Sequence, residues 1–360
     1  MKTERNFTRR SKVSVQVMKI TREKLTKLSE SYISQRARKD RSIICAYLTG
    51  SLLREYPFIN GTTDVDIIMI HSDLAQAYRE VTGISEEASF DIYHYPKQYF
   101  ANPRNLRTDP WIGSSLCFDP IVLYGKGHWY EFVLSSVEAS FFLPETTMQR
   151  ALVFNNEAHK YYLKLQQLAN TKYETTYVFN YLLCIENAVN SIACLNKKPL
   201  TMRHFLQDFN ECCAELSKPE LLTETEKLFT DQPLEQYYAY YSQFWNYYFD
   251  YFSNYVKEDF FPEYGKFRLP YFTKAVEAFW EAHLPSALWI MLNTWTHIFS
   301  AMNMEYNESF HSFLGMNGLT PMQARTRLPQ IDHFLEQIDD TIDNWGKSHG
   351  IEEETQIYIG

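Results

Sequence analysis

Two short apolar runs dominate the first third of the chain, residues 42–48 and 65–70, each with the length and composition of a β-strand. The twelve residues between them, 52–63, carry the turn formers Pro57, Asn60 and Gly61. Upstream, Leu25, Leu28 and Tyr32 recur at helical spacing from Thr21 onward among Lys and Arg, which predicts a helix feeding the first strand. Before it, only the short alternation Val13, Val15, Val17 stands out in a basic stretch. Downstream, the pattern predicts a helix over 72–82 stopped by Gly83, a third strand over 88–95, a loop over 101–110 and a fourth strand over 119–125. Past Pro144 strand patterning ends. Helical spacing follows over 148–169, 173–195, 202–216, 220–229, 234–256, 273–301 with a bend at Pro285, and 321–345. Breaks fall at 197–199, Pro219, Pro233 and 262–270. These blocks predict an α+β protein: a basic segment and helix (1–40), a small mixed-sheet domain (41–145), an all-helical domain (146–350) and a tail (351–360).

The first strand ends at Gly50-Ser51, and the second opens with Asp64-Val65-Asp66. A glycine followed by a small hydroxyl suits a phosphate cradle, because the backbone can approach closely and present N–H groups to an anion. Asp64 and Asp66 are two apart on a strand, so their side chains leave the same face. Aspartate is depleted in strands, and paired carboxylates repel unless a cation lies between them. Oxygen ligands at this spacing suit Mg²⁺, which is typically held by one or two carboxylates together with substrate phosphates.

This pattern, Gly50-Ser51, a short spacer and Asp64-Val65-Asp66 before apolar residues, resembles the DNA-polymerase-β-like nucleotidyltransferase superfamily. Within it the chain is most similar to the bacterial antibiotic nucleotidyltransferases of the kanamycin, streptomycin/spectinomycin and lincosamide types. Thr63 stands where that family often has serine. The resemblance implies a nucleotidyltransferase domain followed by a helical substrate-binding domain, with ATP as donor and a small-molecule hydroxyl as acceptor. It implies two Mg²⁺ ions held by Asp64, Asp66 and a third carboxylate, Asp91, which could instead serve as the base. It also implies a general base on the early helices of the second domain. Glu157, with Lys160 one turn on, and Glu186, set in the apolar run 182–189, are the candidates. Arg104 and Arg107 are candidate triphosphate contacts or simply solvated cations. Arg36 to Arg41 reads as a basic helix end suited to the helix dipole, with nucleotide binding as the sharper alternative. His94, three residues beyond Asp91, points to the opposite strand face and reads as a packed or surface residue.

Charge narrows the partners. The chain of 360 residues carries a net charge of −9. Residues 1–41 hold 13 Lys and Arg against 4 Asp and Glu, whereas 151–360 hold 15 against 27. An acidic body disfavours a nucleic-acid substrate and attracts a cationic small molecule. The six cysteines show no metal-ligand spacing and read as buried thiols of a reducing compartment. No apolar leader core is present near the start, and the most apolar window, 286–304, is interrupted by polar residues, so a cytoplasmic protein without a membrane span is expected. The aromatic-rich stretch 237–255 reads as core, or as stacking surface for a sugar or base. Transfer of the nucleotide to a protein or an RNA end, and a non-catalytic nucleotide-binding regulator, remain as alternative functions. The sequence leaves room for a homodimer.

Overall fold

Both faces of the central strand are apolar below its two acids, so the sheet around it must be covered twice. The computed structural model describes residues 20–168, 174–230, 232–237, 262–301 and 308–351. Five strands form one mixed sheet: β1 (Ile43–Thr49), β2 (Thr63–His71), β3 (Tyr78–Gly83), β4 (Ala88–Pro96) and β5 (Ile121–Gly125), in the order β3-β4-β2-β1-β5. Only β2 and β4 pair in parallel; the other neighbours are antiparallel. On one face Ala46, Leu48, Val65, Ile67, Met69 and Ile92 pack on Leu25, Ile33 and Ala37 of helix α1 (Arg22–Lys39). Thr21 caps that helix through its side chain, and Arg36, Arg38 and Lys39 fill its last turn, where cations suit the dipole. On the other face Cys45, Tyr47, Ile68 and Ile70 pack on α2 (Pro103–Thr108), α3 (Ile112–Cys117) and α4 (Trp129–Phe141).

The rest of the described chain is helical. Helices α5 (Pro144–Leu168), α6 (Glu174–Ala193), α7 (Phe205–Glu215) and α8 (Glu220–Phe229) are followed by α9 (Leu269–Glu281) and α10 (Ser286–Ala301). Then come α11 (Glu308–Met316), α12 (Pro321–Thr326) and α13 (Leu328–Ser348). They share one apolar core, in which the Trp289 ring stacks on Phe205 with centroids 4.4 Å apart. Buried Arg150 joins the two parts: it donates to the carbonyls of Arg107 and Phe141, both at 2.7 Å, and lies 3.6 Å over the Phe141 ring. A mixed sheet followed by an all-helical region is the α+β layout expected from the sequence. Among the described residues no helix is long and apolar enough to cross a membrane.

Several local expectations need correction. Residues 72–82 do not form a helix; Tyr78–Gly83 is an edge strand whose ladder with β4 overrides a weak helical spacing. The strand at 121–125 is therefore the fifth. The loop at 101–110 contains α2, started by Asn102, whose side chain accepts from the Arg104 amide, with Pro103 at the first helical position. The helices expected over 273–301 and 321–345 are each two helices, divided around Pro285 and at Arg327. Of the helix expected over 234–256 only the short turn Leu234–Tyr237 is described. The rest of it, the aromatic stretch beyond 237 and residues 1–19 lie outside the described residues.

One ion pair ties the ends of the helical region together. His159 Nε2 lies 3.1 Å from Asp339 Oδ1, and Asn155 donates to the same oxygen at 2.6 Å. The hydrogen bond to Asp339 raises the His159 pKa above the ordinary imidazole value. The stabilisation it gives is therefore full below that ordinary value and fades as pH rises through the raised one. Both groups are well exposed, so the pair contributes at most about 1 kcal/mol. His159→Gln should melt about 1 °C below the wild type at pH 5.5, with the gap closing by pH 8.5. A gap that widens with pH would contradict this pairing.

Candidate active site

The parallel ladder places Asp66 directly beside Asp91, while Asp64 lies two residues before Asp66 on the same face. Ligand oxygens of Asp64, Asp66 and Asp91 all lie within 4.8 Å of one another. The turn after β1 completes the arrangement. Gly50 adopts φ 79° and ψ −151°, a region open almost only to glycine. A Cβ there would stand 1.8 Å from Asp66 Oδ2, so the turn and the acid can coexist only without a side chain at 50. Ser51 then donates its amide to Asp66 Oδ2 at 3.3 Å and its hydroxyl to Asp64 Oδ1 at 3.0 Å. As the structure stands, the turn's donors brace the two acids.

Two buried carboxylates, Asp64 and Asp91, and the half-buried Asp66 beside them need compensation, because removing a charge from water is costly unless it is paired. Arg79, on β3 and two residues from the partner of Asp91 in the ladder, grips Asp91 with both ends of its guanidinium, at 2.8 and 2.6 Å. Arg268, only 3% exposed, reaches from the turn before α9 to Asp91 at 2.9 Å and Asp64 at 3.1 Å. Tyr271 donates its hydroxyl to Asp64 at 2.6 Å. Burial works against ionisation of Asp64, yet Arg268 and Arg203, with Tyr271 and Ser51, hold its carboxyl below the usual range. Asp66 differs. Burial, then the like charges of Asp64 and Asp91, push its carboxyl well above the usual range. It has no ion-pair partner among the described residues, so its ionised form goes uncompensated and the neutral form is favoured.

The want of a cation beside Asp66 is the test of whether a metal fits here. Three carboxylate groups converge, all are hard oxygen donors, and Asp66, which has no ion-pair partner among the described residues, stands where a positive charge would favour its ionised form. The donor set fits a divalent cation such as Mg²⁺.

Beside Asp66 opens a cavity of about 380 Å³, a size typical of small-ligand sites. Its floor is Thr49, Gly50 and Ser51; its apolar walls include Ile68, Tyr93, Tyr95, Trp111 and Ile112. Arg54 and Lys198 supply two cations, and Ser114 and Ser115 supply hydroxyls. Asp208 of α7 grips Arg54 with both carboxylate oxygens. Burial, then the nearby Arg54, lower the Lys198 pKa. Arg203 is a further tie between the two parts: it donates to Thr62 Oγ1 at 2.9 Å and lies 3.9 Å over the Tyr271 ring.

The structure thus brings Gly50, Ser51, Asp64, Asp66 and Asp91 together. It does not bring the other candidates to them. Arg107 donates to the Ser136 carbonyl, Arg104 is exposed on α2, and neither lines the cavity. Glu157 is an exposed partner of Lys160 on α5. Glu186 is half-buried on α6 without a hydrogen-bond partner among the described residues, and burial pushes its carboxyl up to about 7. It too lies outside the cavity wall. His94 is fully buried on the far face, bonded to His71 at 2.9 Å and Glu80 at 3.2 Å. Arg36 is committed to Glu80 at 2.7 Å. Sequence reasoning missed Arg54, Arg79, Lys198, Arg203, Arg268 and Tyr271. Only Arg54, three residues past Ser51, stood close enough to the motif to have been suspected.

No family model and no curated protein matches the sequence. Among solved structures the chain is similar to a nucleotidyltransferase-like protein from Exiguobacterium sibiricum 255-15. The identity is 8% and the TM-score 0.32, over 89% of this chain and 92% of that one. At that distance the chemistry has to be read from the side chains themselves.

Gly50→Ala tests the turn. A side chain at this φ strains the backbone by about 1–3 kcal/mol and must displace the Asp66 carboxylate as well. The variant should melt several degrees lower and lose at least tenfold in Mn²⁺ affinity, read by melting and by titration of the free ion. A variant with wild-type melting and Mn²⁺ binding would mean that Asp66 does not depend on this turn.

Proposed function

We propose that this protein is a divalent-metal-dependent nucleotidyltransferase that moves a nucleoside monophosphate, AMP from ATP, to a hydroxyl group of a small molecule. The observation that carries the reading is the convergence of three carboxylates from two parallel strands beside a glycine-serine turn, with Asp66 and that turn lining a cavity that holds two cations. This is the constellation that the sequence resemblance leads one to expect. Residues 41–145 form the catalytic unit in this reading, and 146–350 form the unit that closes the cavity and takes the acceptor.

Each group has a defined task. Tyr93, Tyr95 and Trp111 offer flat apolar faces for a base, and Arg54 and Lys198 offer charge for the phosphates. Asp64 and Asp66, with Asp91, would hold the divalent cation. When bound, the cation supplies charge stabilisation at the reacting and leaving phosphates. The remaining contribution is positioning: the acceptor hydroxyl is brought in line with the α-phosphorus while the walls exclude water. Asp91 is held by two guanidiniums in this state, which leaves Asp66 as the carboxylate best placed to meet an incoming proton or cation. With Arg79 and Arg268 both in place at most one negative charge of the cluster is uncompensated, so a divalent cation, and still more a second Mg²⁺, requires an arginine to withdraw.

An acceptor of the aminoglycoside type fits the acidic second half of the chain, since a polycation is drawn to it. The cavity's size suits one small nucleotide. Incubation with Mg²⁺, labelled ATP and either aminoglycosides, total protein or tRNA separates the acceptors by where the label appears. Absence of label in every mixture would refute the transferase reading. Asp66→Asn should lower transfer on the order of 10³-fold. It should also raise stability by about 1 kcal/mol, because it removes a half-buried carboxyl whose ionisation burial and its acidic neighbours oppose. Loss of both activity and stability would point to a structural role for Asp66 instead.

A further inference from the structure

The acids of the cluster are bound before any ligand arrives. Asp91 Oδ1 accepts from Arg79, and Asp91 Oδ2 accepts from both Arg79 and Arg268. Asp64 Oδ1 accepts from Ser51, and Asp64 Oδ2 accepts from Arg268 and Tyr271. Arg268 is the bridging group: one guanidinium nitrogen meets each acid, from a turn that belongs to the helical region. Its guanidinium lies 4.3 Å over the Tyr271 ring, and its buried Nε has no hydrogen-bond partner. The arginine is therefore held firmly but not completely satisfied.

A cation bound by carboxylates must come within about 2.0–2.1 Å of their oxygens if it is Mg²⁺. Two positive groups cannot share Asp64 Oδ2 and the space beside it without strong repulsion in a site this buried. We propose that Arg268 is an internal counter-cation standing in the place of a divalent ion. Metal loading and withdrawal of the Arg268–Tyr271 turn are then one exchange. The inference rests on the reading of the aspartate cluster as a metal site. It adds a regulatory consequence to that reading. Without metal Asp64 and Asp91 are neutralised and covered by the helical region, and they are released only when a competing cation is present in sufficient amount.

The Arg79 pairing is of a different kind. Arg79 lies on the edge strand beside Asp91 and touches neither Asp64 nor Asp66 among the described contacts, so it remains in place while Arg268 leaves. Tyr271 moves with Arg268, because both stand at the start of the same helix, α9.

The test uses the full chain and Mn²⁺ alone, followed by electron paramagnetic resonance of the free ion, with melting measured in parallel. Arg268→Met should bind Mn²⁺ at least tenfold more tightly than the wild type. It should also melt lower in EDTA and regain its stability when Mn²⁺ is added. Affinity that is unchanged or weakened in Arg268→Met would overturn the proposal, as would failure of both proteins to bind Mn²⁺. Should Arg268→Met not fold, Tyr271→Phe removes one hydrogen bond to Asp64 and leaves the arginine. About threefold tighter Mn²⁺ binding is then expected, and no gain would overturn the proposal in the same way. The titration contains no nucleotide, so absence of nucleotidyl transfer leaves the result standing. Conversely, transfer activity with unaltered Mn²⁺ affinity in Arg268→Met would remove the counter-cation and keep the transferase.

Discussion

Crowding three carboxylates, two of them buried and one half-buried, into one small volume is the constraint around which the molecule is arranged. Each would lose several kcal/mol on leaving water if left alone. The sheet can supply only part of the compensation, through Ser51 and Arg79. The balance comes from Arg268 and Tyr271, which are more than 170 residues away in sequence. The helical region is thus part of the electrostatics of the strand motif and not merely a lid beside it.

The same dependence shapes the cavity. Arg54 follows the glycine-serine turn, but Asp208 of α7 fixes its direction. Lys198 enters from the segment after α6, and its charge is weakened by burial and by Arg54. Thr62, two residues before the first acid, is held by Arg203. Three arginines (54, 203 and 268) therefore cross between the two parts at the motif. The relative position of the parts fixes the polar wall of the cavity and the charge state of the acids together.

Residues 72–83 show where pattern alone fails. The spacing of Leu74, Ala77, Tyr78 and Val81 resembles one face of a helix, yet the segment ends as the edge strand β3. Edge strands have one neighbour and little apolar alternation, so their identity comes from the ladder that receives them. Arg79 gains its role only through that ladder. Arg104 and Arg107 fail for the opposite reason. They stand in a stretch rich in turn formers, but α2 turns one outward and leaves the other to bind the Ser136 carbonyl of α4. Glu186 carries the raised pKa expected of a glutamate in an apolar helix, and that property did not place it at the cavity.

By itself the sequence determined what depends on neighbours along the chain. Strand alternation put Asp64 and Asp66 on one face, the glycine at 50 permitted a backbone that other residues avoid, and helical spacing past Pro144 announced an all-helical second half. Only the tertiary structure decided which cations meet those acids, that Asp91 arrives already paired, and that of the three only Asp66 is left without a cationic partner among the described residues. The physical reason is that periodicity is local, whereas compensation of buried charge is made by whichever side chains the packing brings within about 3 Å, however far apart they lie in the chain.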